Sequence, residues 1–250
     1  RYGTVTGVQT CALPIFPASL TTIANEYSTI NAMIKWLHQR SETHIDSFDF
    51  KKLPKPDKGA DLQRRTTFTD REMERIHAAL KETIAEAKKD LSNPNNRQAI
   101  INAYYLGFSS ITGLRRGEQL QLRWRDVVDT EHREAKTRKA DLIHILVRGE
   151  TSKVRQTRKV VIKDEHNYYG GLLLVARDLF FPKLTEHKVR DALANHLMFS
   201  YDGGAQLTPR AIGYHFDKLM ERAKIELGTR NLVPYSFRHY FITKRSEEHT

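Results

Sequence analysis

The chain has 250 residues, with 41 Lys and Arg against 30 Asp and Glu, a net charge of +11 and a pI near 9.7. That length suits one large domain or a domain and a half, and no apolar run reaches the ~18 residues that a membrane span needs. The basic balance points to a polyanionic partner, nucleic acid first, with a generally basic soluble protein as the plain alternative.

The first fifteen residues, Arg1–Ile15 (RYGTVTGVQTCALPI), show neither helical nor alternating periodicity and carry no charge after Arg1. They resemble translated sequencing adapter, and Arg245–Thr250 (RSEEHT) resembles its counterpart at the other end. Both stretches (1–15 and 245–250) are set aside from the fold. Cys11, the only cysteine, goes with them. The remainder has no thiol for a disulfide or a nucleophile, which fits a reducing cytoplasm.

From Ala18 to Arg40, apolar residues at Leu20, Ile23, Tyr27, Ile30, Met33, Ile34 and Leu37 step by threes and fours, so an amphipathic helix is expected. Lys51–Arg65 (KKLPKPDKGADLQRR) has two prolines, a glycine and a concentration of basic side chains, including Lys51, Lys52, Lys55, Arg64 and Arg65. It reads as an extended linker over 51–65, either a solvated connector or a strap across a phosphate backbone.

Thr69-Asp-Arg-Glu72 has the form of a capping box, flanked by Phe68 and Met73 at the staple positions. The stripe Met73, Ile76, Leu80, Ile84, Ala87, Leu91 continues that helix, and a domain is expected to start near Thr66. Ser92–Asn96 reads as a turn. Ala99–Ile111 lacks a broad polar face, as a buried helix does, and Gly113 suits its left-handed end. Val127–Asp129, Asp141–Arg148 and Arg158–Ile162 read as strands, with Gly149–Ser152 as a turn. Helices resume at Gly171–Phe180 and Glu186–His196. Another is capped by Thr208 with Pro209 at its first position, and a short one lies within Pro234–Lys244, with Ser236 as the expected cap. The fold class is therefore mostly α with a small antiparallel β-sheet.

Three basic residues stand out. Arg115, in TGLRRGE, follows a helix break, with Glu118 three residues on to orient it. Lys153 lies at the turn between two strands, and Arg238, in YSFRHYF, falls in the first turn of its helix, where free N–H groups favour an anion. Two guanidinium groups can hold the non-bridging oxygens of one phosphate, where charge grows during phosphoryl transfer. Each has an ordinary alternative when taken singly: a surface salt bridge for Arg115, a solvated lysine for Lys153, and an arginine snorkelling from an aromatic-packed helix for Arg238.

In this order and context, TGLRRGE, the hairpin lysine and the Arg-His pair resemble the tyrosine recombinase (phage integrase) family from about Thr66 to Lys244. The resemblance implies a tyrosine-recombinase (DNA breaking-rejoining) catalytic domain over 66–244. It makes 16–50 the remnant of a helical core-binding domain. It implies site-specific DNA recombination or integration, with strand cleavage through a 3′-phosphotyrosyl link and rejoining without cofactor or metal. It also implies a double-stranded DNA partner and a homotetramer on paired sites. Arg115 and Arg238 would clamp the scissile phosphate, Lys153 would protonate the leaving 5′ oxygen, and Glu118 and His239 would support the site. Arg116 takes the family's variable position. The competing class is a DNA-binding protein with an integrase-like frame and no chemistry; a type IB topoisomerase-like enzyme is the other alternative.

The sequence departs from the family pattern in three places. Tyr235 stands where histidine is usual; it can hydrogen-bond a phosphate oxygen, but a phenol with a pKa near 10 is a poor proton acceptor at neutral pH. The hairpin region is long, so Lys139 and Lys159 rival Lys153. No tyrosine follows Tyr240, which is too close to Arg238 to be the nucleophile and is expected in the core; on this reading the chain stops before the attacking residue, and as it stands it is expected to be inactive. A metal site is not expected, because His132, His144, His166, His187, His196, His215 and His239 are scattered and Asp126 and Asp129 alone make a weak pair. No glycine-rich phosphate loop precedes a helix.

Overall fold

A computed structural model of the chain describes residues 20–54, 67–131, 142–152, 155–228 and 230–247. The chain divides into two compact units, Arg1–Arg64 and Arg65–Thr250.

In the first unit the periodic stripe forms α1 (Leu20–Gln39). The segment after it folds back along the helix. The Asn31 side chain accepts from the Phe48 amide at 2.8 Å and donates to the Phe48 carbonyl at 3.2 Å, and Phe50 stacks on Tyr27 with ring centroids 4.1 Å apart. Part of the stripe stays open: Met33 is 54% and Leu20 37% exposed. Lys51 and Lys52 are exposed, whereas Lys55, Arg64 and Arg65 lie outside the described residues.

The second unit opens on α2 (Asp70–Ala87), and its capping box forms as the sequence implies. Thr69 Oγ1 accepts from the Glu72 amide at 3.3 Å, and Glu72 Oε2 accepts from the Thr69 amide at 2.8 Å. Next comes α3 (Pro94–Thr112), the central helix, packed against α2 and, further along the chain, α5 (Tyr168–Phe180), α7 (Pro209–Arg222) and α8 (Ser236–Glu247). Being surrounded, it buries Ile100, Ile101, Tyr104, Tyr105, Leu106 and Phe108 and has no polar face. It starts earlier than expected. Asn93 caps it by accepting from the Asn95 amide at 2.9 Å with Pro94 at the first position, so most of the expected turn at 92–96 is helix.

Gly113 ends α3 at φ +57°, as expected. A short helix, α4 (Arg116–Leu120), and a single 3₁₀ turn (Trp124–Asp126) lead into β1 (Val127–Glu131). With β2 (Leu142–Val147) and β3 (Arg158–Lys163) it forms a three-stranded antiparallel sheet in the order β1-β2-β3. β2 is central and buries Ile143, Ile145 and Val147.

Three helix ends differ from expectation. α5 begins at Tyr168 rather than Gly171, because buried Asp164 accepts from the Tyr168 and Tyr169 amides, both at 2.8 Å. α6 (Glu186–Leu193) stops short of His196, because residues 194–198 bond to the segment 122–125, where Arg123 bridges Leu197 and Trp124 N–H donates to the His196 carbonyl at 3.2 Å. α8 is not capped by Ser236. That hydroxyl lies inside the helix and accepts from the Val233 amide at 3.1 Å. The helix then continues to Glu247. Among the described residues no helix is long and apolar enough to cross a membrane.

Candidate phosphate-binding site

The turn between α3 and α4 sets Arg115. Gly113 takes the left-handed conformation and Leu114 is buried, so the backbone direction at Arg115, the cap position of α4, is determined from both sides. Glu118 then reaches back. Its carboxylate accepts from the Arg115 amide at 3.0 Å and from Arg115 Nη1 at 3.2 Å. The Glu118 side chain is only 1% exposed, while Arg115 is 37% exposed, so the carboxylate is interior and the guanidinium faces outward.

The same carboxylate has a second cation, which sequence reasoning missed. Arg158 Nη2 donates to Glu118 Oε2 at 2.8 Å, and its Nη1 donates to Ser152 Oγ at 3.3 Å. Burial pushes the Glu118 carboxyl up. Hydrogen bonds from Arg158 and the Arg115 amide, with the charge of Arg158, outweigh it and hold the pKa below the ordinary carboxylate value. The only sequence signal for Arg158 was its place as the first residue of an expected strand after the lysine turn.

Arg238 arrives from α8, which is anchored through Phe237. That ring is fully buried, 4.9 Å from Phe68 and 5.8 Å edge-on from Phe216. Arg238 Nη1 donates to the carbonyl of Gly113, within the turn that sets Arg115. The first turn of α8 does not offer free amides, contrary to expectation. Ser236, Phe237 and Arg238 N–H groups donate to the carbonyls of Val233, Pro234 and Tyr235 at 2.7, 3.4 and 3.1 Å. A tight turn winding directly into the helix uses them up, so the guanidinium and not the helix end is the anion-binding group.

Tyr235 is 37% exposed and meets the His239 ring edge-on at 5.0 Å. Tyr235 and Arg238 line a cavity of about 290 Å³ together with Arg116, Tyr105, Ser109 and Gln119. Burial pushes the Tyr105 phenol up to about 12 against the opposing charge of Arg116. The structure thus gathers Arg238, Tyr235 and Arg116 around one cavity, and Arg115, Glu118 and Arg158 into an adjoining cluster. Gly113 and Leu114 link the two.

Lys153 and Lys139 lie outside the described residues. Lys159 is described and exposed on β3. Alternation along that strand puts it on the face opposite Arg158. The hairpin is tied down at both ends of its loop. Arg148 Nη2 donates to the Gln121 carbonyl at 2.8 Å and its Nε lies 3.2 Å from Asp126, while Arg158 holds Glu118. Tyr240 is partly buried against the core and donates to Asp70 at 2.9 Å; burial and that bond push its phenol up to about 12, so it is held as a proton donor. Among the described residues, no group of three or more His, Cys, Asp and Glu is placed to hold a metal.

No curated protein matches the chain by sequence. Solved structures with a similar fold include the XerH site-specific recombinase bound to palindromic difH substrate, at 18% identity and a TM-score of 0.57 over 93% of this chain. They also include the Tn1549 transposon integrase in complex with transposon right end DNA, at 18% identity and a TM-score of 0.54 over 94% of this chain. The chain spans 56% of the XerH chain and 69% of the Tn1549 integrase chain. The turn that carries Arg115, the sheet that carries Arg158 and the helix that carries Arg238 all lie within residues 66–249, the stretch that matches the Phage integrase family, so the chain belongs to that family, the tyrosine recombinases.

Proposed function

We propose that the whole protein is a site-specific DNA recombinase or integrase acting on double-stranded DNA in the cytoplasm, and that this chain carries the part that holds the scissile phosphate. The observation that supports this most directly is the turn at Gly113–Arg115. Arg115 is held there through its amide and guanidinium by a carboxylate that water does not reach, and Arg238 bonds to the Gly113 carbonyl two residues away. Two guanidinium groups that meet at one turn, Arg115 from the turn itself and Arg238 from α8, suit the non-bridging oxygens of a phosphate.

In this reading a tyrosine hydroxyl gives up its proton to solvent, and its oxygen attacks phosphorus and forms a 3′-phosphotyrosyl link. The 5′ oxygen leaves and takes a proton from the hairpin lysine. Attack by a 5′ hydroxyl of the partner strand reverses the step, so the phosphodiester energy is retained. Lys153 fits the lysine role best: it lies in sequence between Arg148 and Arg158, whose bonds tie both ends of the loop to the segment after Arg115, whereas Lys159 faces away. Tyr235, in the turn before α8, donates a hydrogen bond to the phosphate, and His239 supports it from the first turn of α8. Residues 66–244 form the catalytic domain, 16–50 a partial core-binding domain, and the basic linker at 51–65 follows the DNA backbone. Four protomers assemble on two sites.

The test is a nicked duplex that traps the covalent intermediate, used with the chain extended by its own downstream codons. The extended protein forms a DNA adduct, and Arg115→Ala or Arg238→Ala abolishes it. An adduct that survives both substitutions overturns the site assignment. Salt-sensitive DNA binding with no adduct from the extended protein favours the non-catalytic alternative.

A further inference from the structure

We infer that Arg158 is a positioning residue for Arg115, acting through the carboxylate they share, an inference that rests on the proposed phosphate-binding role of Arg115. Glu118 is 1% exposed and accepts from both guanidinium groups, at 3.2 Å from Arg115 and 2.8 Å from Arg158. The three side chains together keep one net positive charge, on groups that are about one-third exposed.

The sharing matters because a buried carboxylate seeks full compensation. With Arg158 in place, Glu118 Oε2 is occupied, and Arg115 donates a single longer side-chain bond to Oε1. The remaining N–H groups of Arg115 are left for an anion. With Arg158 removed, Arg115 becomes the only cationic side chain among the described residues bonded to Glu118 and closes onto both oxygens. Its charge is then neutralised and its donors are turned inward. Arg158 has its own geometric support: Nη1 donates to Ser152, a residue 5% exposed at the far side of the same hairpin loop. The hairpin that presents the lysine loop therefore also sets how much of the Arg115 charge is free.

The experiment is a double-mutant cycle on the 250-residue chain, read as affinity for a fluorescent duplex DNA over a salt series. Arg158→Gln alone weakens binding by about threefold to tenfold. In an Arg115→Ala background it weakens binding no further. Equal losses in both backgrounds, or a salt slope that falls by about 0.9 on Arg158→Gln in the Arg115→Ala background, mean that Arg158 touches phosphate itself and overturn the inference. So does an unchanged affinity on Arg158→Gln alone.

A second measurement needs no DNA and uses the milder Arg158→Lys. The Nε–Hε NMR signal of Arg115, identified by its loss in Arg115→Ala, shifts when Arg158 is changed. An unmoved signal overturns the coupling. If Arg115→Ala leaves DNA affinity intact, the proposed clamp fails, while the NMR result still decides whether the two arginines are coupled.

Discussion

Arg115 and Arg238 reach one turn of the chain by opposite means. Arg115 is local: a carboxylate three residues on grips its amide and its guanidinium. Arg238 is remote: a buried phenylalanine anchors its helix, and the guanidinium donates to the Gly113 carbonyl. The first support carries a full negative charge and subtracts from what Arg115 offers an anion. The second is a neutral dipole that steers Arg238 without cancelling its charge. A site that must both fix and spend positive charge gains from having one cation of each kind.

The largest expected effects come from removing the cations. In the extended protein, Arg238→Ala and Arg115→Ala each slow strand cleavage by about 10²-fold or more, and Arg238→Ala weakens DNA binding more than Arg115→Ala does, because its charge is less compensated. Equal losses of binding would erase the distinction between the two supports.

Gly113→Ala attacks both supports at their junction. The position has φ +57°, and an added Cβ would sit 2.3 Å from the Phe241 ring. A loss of about 2–3 kcal/mol in denaturant unfolding is expected, together with reduced cleavage, since α8 must shift to make room.

Glu118→Gln is expected to cost about 1–2 kcal/mol of stability. DNA affinity should hold or rise, because a negative charge is removed, while cleavage falls because Arg115 is no longer directed. The acid dependence has a definite sign. The folded pKa of Glu118 lies below its ordinary value, so its contribution is complete above about pH 4.5 and is lost as pH falls through the folded pKa. Urea titrations of parent and variant should differ above that point and converge below it.

The smallest effect is a control whose residues touch none of the proposed site's side chains. Arg230 pairs with Glu72, whose pKa is lowered to about 2, first by the Arg230 hydrogen bond. Arg230→Met should cost about 1 kcal/mol at neutral pH. That loss fades as pH drops from about 4.5 toward 2. DNA affinity and its salt slope should stay unchanged, since this pair serves the α2 cap and not the phosphate. A parallel fall in DNA binding would mean that any loss of stability disturbs the site, and the site-specific reading of Glu118→Gln would lose its force.

Much of the candidate site's local geometry was legible because its signals are local. Glu118 lies one helical turn from Arg115, Gly113 marks the helix break before it, and Phe237 and Phe216 announce a packed helix next to Arg238. Arg158 was not legible, because its meaning depends on Glu118, 40 residues away in sequence. Capping misled at Ser236 for a similar reason. A serine before a helical stretch usually caps it, but here the turn from Val233 had already taken the amides. Asp164 misled in the opposite sense, because it caps α5 from four residues upstream of Tyr168, with a left-handed Asn167 between them.

The sequence by itself determined the helices with clear stripes and caps, the small sheet, the left-handed end of α3, the family and the order of its basic residues. Those features depend on side-chain period, backbone sterics and hydrogen bonds between near neighbours, all of which act within a turn or two of chain. The tertiary structure alone decided which charges share a partner. It put Arg115 and Arg158 on one buried carboxylate and Arg238 on a carbonyl. It also turned Lys159 away from Arg158. Electrostatic coupling depends on distance and exclusion of water, and neither is set until strands, helices and turns that are far apart in the chain close around the same atoms.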